Sequence, residues 1–272
     1  MKTFLKKHRL NGYLIAGIIL TTVIVLWIVV GRFYTPYNPT KMSSAKLQAP
    51  SPSHLFGTDK FGRDIFSRVM QGSGTTLVIA VLTIVIGGGI GTIIGAVTGY
   101  FGGMLDEVLM RLNDALTAFP SILLALVIIS ILGPGKHNVI IALGIVFIPS
   151  YARVTRTAFA SQREVNYITS ARLMGAGSLR ILLVHMLPNT LHVLLPALTI
   201  GFNNAVLAEA SLSFLGIGVT PPDASLGYML AEAQGMLAAG PWYALFTGLT
   251  IVLLVFGIGL LGEGLQNHAG DT

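Results

Sequence analysis

Six long apolar runs, separated by polar segments, constrain this 272-residue chain more than any other feature of its sequence. They fall at 12–30, 75–100, 115–132, 139–150 with an extension to 159, 191–207 and 242–261. A bilayer has a hydrocarbon core of about 30 Å, which roughly 20 residues of α-helix cross. Only helices and closed barrels satisfy every backbone hydrogen bond in lipid, and long runs without alternation favour helices. The sequence therefore predicts an all-α integral membrane protein of about six transmembrane helices.

The composition agrees with a membrane protein and excludes several other classes. Charged residues make up 10% of the chain, whereas soluble domains carry about 25%. Cysteine is absent from the sequence, so disulfides and thiolate metal sites are excluded. The formal net charge is +6, and the basic residues flank the apolar runs. Membrane topology explains them better than nucleic-acid binding does, so we expect membrane lipid, and no nucleic acid, as a partner.

The N-terminal region predicts the orientation of the chain. Its apolar run is longer than that of a signal peptide and no A-x-A cleavage pattern follows it, which predicts a retained first helix. Basic residues are more frequent on the cytoplasmic side of membrane helices. Four of them precede the first run and one follows it closely, namely Lys2, Lys6, Lys7, Arg9 and then Arg32. We therefore expect a cytoplasmic N-terminus, which places ten basic residues inside and seven outside.

The polar segment after the first helix predicts a second feature, on the extracytoplasmic side. Phe61, Ile65, Phe66 and Val69 lie at helical spacing, and charged residues occupy the other faces. That pattern is typical of a short amphipathic helix lying on the membrane surface over about residues 61–70. We accordingly divide the chain into residues 1–74, with the first helix and this amphipathic segment, and residues 75–272, with the core.

Glycines recur every fourth residue along the second apolar run, at Gly87, Gly91, Gly95 and Gly99. On a helix this spacing makes one smooth groove, along which another helix backbone can approach closely. Two interpretations are open. The groove either serves ordinary helix packing or forms a seam that slides during a conformational cycle.

A charged stretch at about 160–189 separates the fourth and fifth apolar runs. Asn166 is of a residue type that caps a helix, here one over residues 167–174, and Gly175 suits the left-handed position just after it. Ser178 is placed to cap a second short helix, and Pro188 fits the opening turn of the next membrane helix. The stretch predicts a compact helix–turn–helix at the cytoplasmic face. The simpler alternative is an ordinary solvated loop.

This stretch resembles the "EAA" loop of ABC importer permeases. Ser170-Ala171, Gly175 and Leu187-Pro188 have the family's spacing, although Thr169 stands where that family has an acidic residue and Ser170 replaces its first alanine. Residues 56–68 are similar to the segment before the second helix in the dipeptide/oligopeptide/nickel branch of these permeases. Residues 209–218, followed by Pro221-Pro222 and Gly227, look like a late segment of the same branch.

The resemblance, which covers about residues 55–230, implies a fold, partners and a set of candidate residues. The fold would be that of a type I ABC importer permease in the cytoplasmic membrane, with a cytoplasmic coupling loop at about 160–189. The partners would be a second homologous permease, two ABC ATPase subunits that bind ATP and Mg, and an extracytoplasmic solute-binding protein. The solute would be a di- or oligopeptide, or a nickel or metallophore complex. The candidate ATPase-coupling residues are Tyr167, Thr169, Ser170, Ala171, Arg172, Gly175 and Pro188.

Catalysis and cofactor binding are not expected of this chain. A Walker motif needs Gly-Lys followed by Ser or Thr, but the only Gly-Lys pair, Gly135-Lys136, precedes His137. The histidines show no H-E-x-x-H pattern or close ligand spacing, so no metal site is predicted.

The main alternative is a secondary transporter or channel driven by an ion gradient. Such proteins place ionisable residues within the membrane as ion sites. Glu209, near the outer end of the fifth run, is the best candidate, although pairing with local groups at the interface is the simpler interpretation. Asn203 and Asn204 on the same run are further candidates for translocation or gating.

Overall fold

The structure is a computed structural model that describes residues 12–270, and within that range every regular element is a helix. The basic residues that predict the orientation, Lys2, Lys6, Lys7 and Arg9, lie outside the described residues. The helices in chain order are α1 (Gly12–Phe33), α2 (Ile65–Phe101), α3 (Gly103–Thr117), α4 (Ser121–Leu132), α5 (Lys136–Gln162), α6 (Asn166–Leu173), α7 (Ser178–Phe214), α8 (Leu226–Gln234) and α9 (Pro241–Gly270).

Within the described range, five helices are long and apolar enough to cross a bilayer, namely α1, α2, α5, α7 and α9. α3 and α4, which meet at an angle of 86°, bring the number to six when the pair is counted as one broken span. The prediction of about six spans is confirmed, but the run at 115–132 is not the single helix that we expected. Pro120 has no backbone N–H and adopts a non-helical ψ of 129°, so one helix ends before it and the next begins at Ser121.

The start of α2 shows that the predicted surface helix over residues 61–70 is wrong. The carboxylate of Asp64 accepts a hydrogen bond of 2.8 Å from the backbone N–H of Ser67 and so caps α2. Ile65 and Val69 are fully buried in the main apolar core, so their stripe packs on the protein rather than on lipid headgroups. Residues 65–70 form the first turns of α2, which is 37 residues long.

α2 lies at the centre of the bundle, where it contacts α1, α5, α7, α8 and α9. Its contact with α5 extends over most of both helices because the glycine groove faces α5. A Cβ atom on Gly87 would lie 2.8 Å from the Gly144 carbonyl oxygen, and one on Gly99 would lie 2.6 Å from that of Arg156. The groove is therefore filled by the α5 backbone over this length, which accounts for the four-residue repeat.

The polar segments gather at two opposite ends of the bundle. The α6 face comprises α3, α6 and the turns beside them, and Arg156 Nη2 joins α5 to α3 there through Asp106 Oδ2 at 2.6 Å. The α8 face comprises residues 34–64, the turn between α4 and α5, and residues 215–240. Lys136 Nζ lies 3.0 Å from Asp223 Oδ2 on that face.

An ion cluster ties the elements of the α8 face together. Arg68 donates 2.6 Å hydrogen bonds to both Asp59 and Glu232, and Arg63 contacts the same two carboxylates. The Tyr243 hydroxyl donates to Glu232 at 2.9 Å. Burial acts to raise the pKa of Glu232, but the charges of Arg68 and Arg63 outweigh it and hold this pKa below its ordinary value. The cluster fastens residues 34–64 to α2, α8 and α9.

Candidate functional site

The most distinctive feature of the α6 face is α6 itself, an eight-residue helix between the ends of α5 and α7. The predicted cap is wrong. Val165 occupies the cap position, without a side-chain hydrogen bond, and Asn166 is an exposed first residue of the helix. Backbone bonding closes the first turn, because the Ile168 N–H donates to the Val165 carbonyl at 3.0 Å.

The C-terminal end of α6 is closed by a Schellman motif. Gly175 has φ +82°, which confirms the left-handed conformation predicted for it. The Ala176 N–H donates to the Ala171 carbonyl at 3.0 Å, and the Gly175 N–H donates to the Arg172 carbonyl at 3.0 Å. The turn that follows α6 is therefore fixed by backbone geometry.

The inner face of α6 packs on the ends of three membrane helices. Ile168 is fully buried and Ala171 is 5% exposed. They belong to one apolar cluster with residues of α2, α5 and α7, namely Tyr100, Phe159, Ile181, Leu182 and Met186. Ala171, predicted to permit close docking of a partner, thus faces its own chain, and its small size serves packing within the loop.

Two of the polar candidates are engaged within the chain. The Tyr167 hydroxyl donates to Gln162 Oε1 at 2.8 Å and accepts from Asn189 Nδ2 at 3.3 Å, which links α5, α6 and α7. The Arg172 guanidinium lies over the ring of Tyr100, 5.0 Å from its centroid. The remaining polar candidates, Thr169 and Ser170, are exposed.

The outer surface of this loop is apolar at the turn around Gly175. Leu173, Met174 and Leu179 are 85%, 82% and 70% exposed. We call these three residues the apolar rim. Surface patches of this kind commonly mark contacts with another protein. Sequence reasoning missed the rim, although large apolar residues on both sides of the glycine turn, in an otherwise polar stretch, were the available signal.

The second short helix that we predicted after the turn is not separate. Residues 178–214 form one helix, preceded by Gly177 rather than capped by Ser178, and they include a π-helical segment at Ile181–Met186. Pro188 is exposed and lies in the first α-helical turn after the π-helical segment, inside α7 rather than in the opening turn of the membrane helix that we predicted. Pro188 has no N–H to donate within the helix, and beside it Asn189 Nδ2 donates to the His185 carbonyl at 2.7 Å.

Glu209 is fully buried in α7 rather than placed at the interface. Its carboxylate accepts hydrogen bonds from the hydroxyls of Thr76 at 2.9 Å and Ser213 at 2.7 Å. Each hydroxyl accepts a backbone N–H in turn, from Leu226 at 3.1 Å and Val219 at 3.0 Å respectively. Glu209 therefore pairs locally, as the simpler interpretation had it, and it positions the chain between α7 and α8.

Asn203 and Asn204 face different surroundings on α7. Asn203 is half-buried, and its Oδ1 has no hydrogen-bond partner among the described residues. Asn204 is exposed and borders a cavity of about 310 Å³ between α4, α5 and α7. Its walls are mostly apolar but include three serine hydroxyls, those of Ser121, Ser150 and Ser211. We call this cavity the polar groove. The residues that line it carry no formal charge.

No metal centre is found in the part of the chain that the structure describes. Within residues 12–267, whose side chains the structure describes, no three His, Asp or Glu side chains form a group that could hold a metal ion.

Comparisons with known proteins agree with one another. The family model described as "binding-protein-dependent transport system inner membrane component" matches residues 91–269. The chain is 38% identical over 271 residues to the dipeptide transport system permease protein DppC of Haemophilus influenzae, covering 97% of this chain and 91% of that protein. It is 37% identical over 275 residues to the di/tripeptide transport system permease protein DppC of Pseudomonas aeruginosa, covering 98% of this chain and 90% of that one.

A third relative and a solved structure extend the comparison. The glutathione transport system permease protein GsiD of Escherichia coli is 37% identical over 266 residues, covering 97% of this chain and 88% of that protein. The inward-facing MetNI methionine ABC transporter superposes with a TM-score of 0.60 at 22% identity, covering 75% of this chain and 96% of that chain. The fold is therefore that of a type I ABC importer permease.

Proposed function

The chain belongs to the family of binding-protein-dependent transport system inner membrane components, and on that premise we propose that it is one permease subunit of an ATP-driven importer of short peptides. It is a multi-pass inner-membrane protein. In the proposed complex it forms half of the translocation pathway and passes on a conformational change that ATP drives in another subunit. It performs no bond-making chemistry itself.

The observation that carries the proposal is the construction of the α6 loop. α6 is buried on its inner face, closed by a left-handed glycine and bordered by three exposed apolar side chains. A helix fixed to the ends of α2, α5 and α7 can transmit a push to all three. The exposed apolar rim is a surface that a protein partner would bury on binding. We propose that this partner is the ATPase subunit, and that the α6 face is cytoplasmic.

The assembly that we propose contains four further subunits, which have three roles. A second homologous permease completes the pathway, two ABC ATPase subunits bind ATP and Mg, and an extracytoplasmic solute-binding protein delivers the solute to the α8 face. This orientation places the N-terminus in the cytoplasm. Thr169, Ser170 and the apolar rim are the exposed candidates for the ATPase contact, while Tyr167, Ala171 and Arg172 hold α6 in place.

Short peptides are the solute class that the relatives favour. Two of the proteins described above are named for dipeptides or di/tripeptides and one for glutathione, whereas none of the three is named for nickel or a metallophore. The polar groove supports the same class, because its hydroxyls and the Asn204 amide can hydrogen-bond peptide groups without selecting a side-chain charge. We propose that this groove belongs to the translocation pathway, with Asn203 beside it, and that Glu209 supports its structure.

The coupling role is tested with Gly175→Asp. The substitution strains the backbone at φ +82° and adds a carboxylate beside the apolar rim. We expect the variant to insert at the normal level, while ATP-driven peptide uptake in proteoliposomes is lost. Normal uptake by normally inserted protein would contradict the assignment.

A second pair of variants tests the contact itself. Leu173→Asp should reduce the amount of ATPase subunit that co-purifies with the tagged chain, because a carboxylate replaces an apolar anchor. Leu55→Asp is the matched control, since Leu55 is 56% exposed on the α8 face. Equal loss of the ATPase from both variants would point to a general defect and against a contact at the rim.

The class of transporter is tested by gentle detergent extraction of the tagged chain from its native membrane. We expect a second six-helix permease and ATPase subunits in stoichiometric amounts, identified by mass spectrometry. A chain that is recovered alone and still transports in ATP-free vesicles under an ion gradient would establish the alternative, a secondary transporter.

A further inference from the structure

A second and larger cavity opens on the α8 face, away from the polar groove. Its volume is about 580 Å³, and it lies between the C-terminal end of α1, the first half of α2 and the N-terminal end of α5. None of the residues that line it lines the polar groove. We call this cavity the lateral groove.

The floor of the lateral groove is one face of α2 that changes character along its length. Gln71 and Thr75 lie towards the α8 face, and Val78 and Leu82 follow one and two turns further into the membrane span. The eleven residue-to-residue steps from Gln71 to Leu82, at about 1.5 Å each, give this floor a length of about 16 Å. Val78 and Leu82 are 53% and 40% exposed, so the deep end is open at the side of the bundle, where lipid chains lie.

The mouth of the groove is cationic. Arg32, the one basic residue of α1, is exposed and forms no salt bridge with any described acidic residue. Across the mouth stand Lys136, which is paired with Asp223 at 3.0 Å, and His137. With the histidine neutral, the two cations and one carboxylate leave the mouth with a net charge of +1. Tyr34 and Thr35 add hydroxyl groups beside Arg32.

A polar, positively charged mouth above an apolar floor that runs along α2 into its membrane-spanning part matches the layout of a phospholipid. We propose that the lateral groove binds one glycerophospholipid with an anionic headgroup. Arg32 holds the phosphate, which suits the forked geometry of a guanidinium. One acyl chain lies along Val78 and Leu82. A free phosphate ion would balance the charge of the mouth but would leave the apolar floor uncovered. A neutral lipid would cover the floor but would leave the net positive charge of the mouth unbalanced.

The site is tested on the full chain, purified in its complex in mild detergent and examined by native mass spectrometry with added dioleoylphosphatidylglycerol. We expect one lipid retained per chain. Arg32→Gln should weaken retention about tenfold, the loss expected for one charge-assisted contact of about 1.4 kcal/mol. Val78→Trp should abolish retention, because the indole fills the floor.

Matched controls separate the groove from the general surface. Val81→Trp alters a 43% exposed residue of α2 that does not line the groove, and Lys46→Gln removes an exposed cation elsewhere on the α8 face. Both should retain the lipid as the unmodified chain does. Thermal unfolding of the same variants gives a second readout, because a bound lipid raises the melting temperature only where it binds the folded state.

Three outcomes would overturn the proposal. Equal retention by Arg32→Gln, Val78→Trp and both controls would mean that lipid binds elsewhere. Equal retention of dioleoylphosphatidylcholine would remove the role of the mouth's charge. The same thermal protection by inorganic phosphate alone would make the site an anion site without a lipid chain.

Discussion

The carboxylate of Glu209 accepts a 2.9 Å hydrogen bond from the hydroxyl of Thr76, and so joins α7 to α2 within the buried part of the bundle. The same hydroxyl accepts the N–H of Leu226, the first residue of α8. Ser213 repeats the arrangement by donating to Glu209 and accepting from Val219. A single carboxylate thereby sets the path of the chain that leaves α7. This structural role accounts for an acidic residue at position 209, and no role in ion binding is needed to explain it.

Replacement of Glu209 should separate this structural role from ion binding. Glu209→Gln keeps one acceptor oxygen and should lower stability by about 1 kcal/mol, whereas Glu209→Leu leaves both buried hydroxyls without an acceptor and should cost about 2–4 kcal/mol. We expect the melting temperature in detergent to fall in that order, with ATP-driven uptake largely kept in Glu209→Gln. Loss of uptake by Glu209→Gln at an unchanged melting temperature would favour an ion site.

The glycine groove of α2 predicts a sharp contrast between neighbouring positions. A Cβ atom on Gly91 would lie 2.6 Å from the Ile148 carbonyl oxygen and 2.7 Å from the Cβ of Tyr151, whereas one on Gly89 would meet nothing within 4 Å. Gly91→Ala should therefore force α5 away and cost about 1–3 kcal/mol. Gly89→Ala, the control on the same helix, should be neutral or gain up to about 1 kcal/mol. Equal melting temperatures for the two variants would contradict close packing in the groove.

The Schellman motif predicts a local rather than a global effect. Gly175→Ala must adopt φ +82°, at a cost of roughly 1–2 kcal/mol, although the space beside it is open. Gly177→Ala is the control, because its φ is −68° and its surroundings are equally open. Hydrogen exchange should show faster opening of the α6 amides in Gly175→Ala only. Faster exchange in both variants would mean that space, and not backbone conformation, limits the turn.

The ion cluster predicts a pH dependence of stability. The pKa of Glu232 is lowered in the folded protein from an ordinary value of 4.5, so its contribution is fully present above that value. It is lost as the pH falls through the lower folded-state pKa. Glu232→Gln should therefore melt well below the unmodified chain at pH 7, since it leaves Arg68 and Arg63 short of a partner. The difference should shrink below pH 4.5, and a constant difference would contradict the ionised cluster.

The sequence predicted the spans well because hydrophobic length is a local property. It did not predict where a helix begins when contacts with residues far away in the sequence determine the start, as they do for α2. Residues 65–70 look amphipathic, but the charged face of that helix is satisfied by Asp59 and by Glu232, which lies 164 positions after Arg68. The predicted surface location followed from treating Arg68 as solvated, whereas its side chain is 4% exposed.

The sequence predicts the turn that ends α6 but does not predict which side of α6 is buried. The left-handed Gly175 follows from residue type alone, and the structure places it as expected. Which side of α6 is buried depends on Tyr100 and Phe159, which come from other helices. The sequence therefore predicts a partner contact for Ala171, which packs inwards instead, and it gives no prediction for the apolar rim.

The continuity of α7 has a mechanical consequence. The 37 residues of Ser178–Phe214 make one rod of about 55 Å, whose base adjoins α6 and whose far end carries the Glu209 anchor. Its only wide turn is the π-helical segment at the base, beside Pro188. On the coupling role that we propose, a push on α6 would bend this helix at that joint and swing its far end as a lever. The chain between α7 and α8 would move with it, so that a small displacement at one membrane surface becomes a larger one at the other.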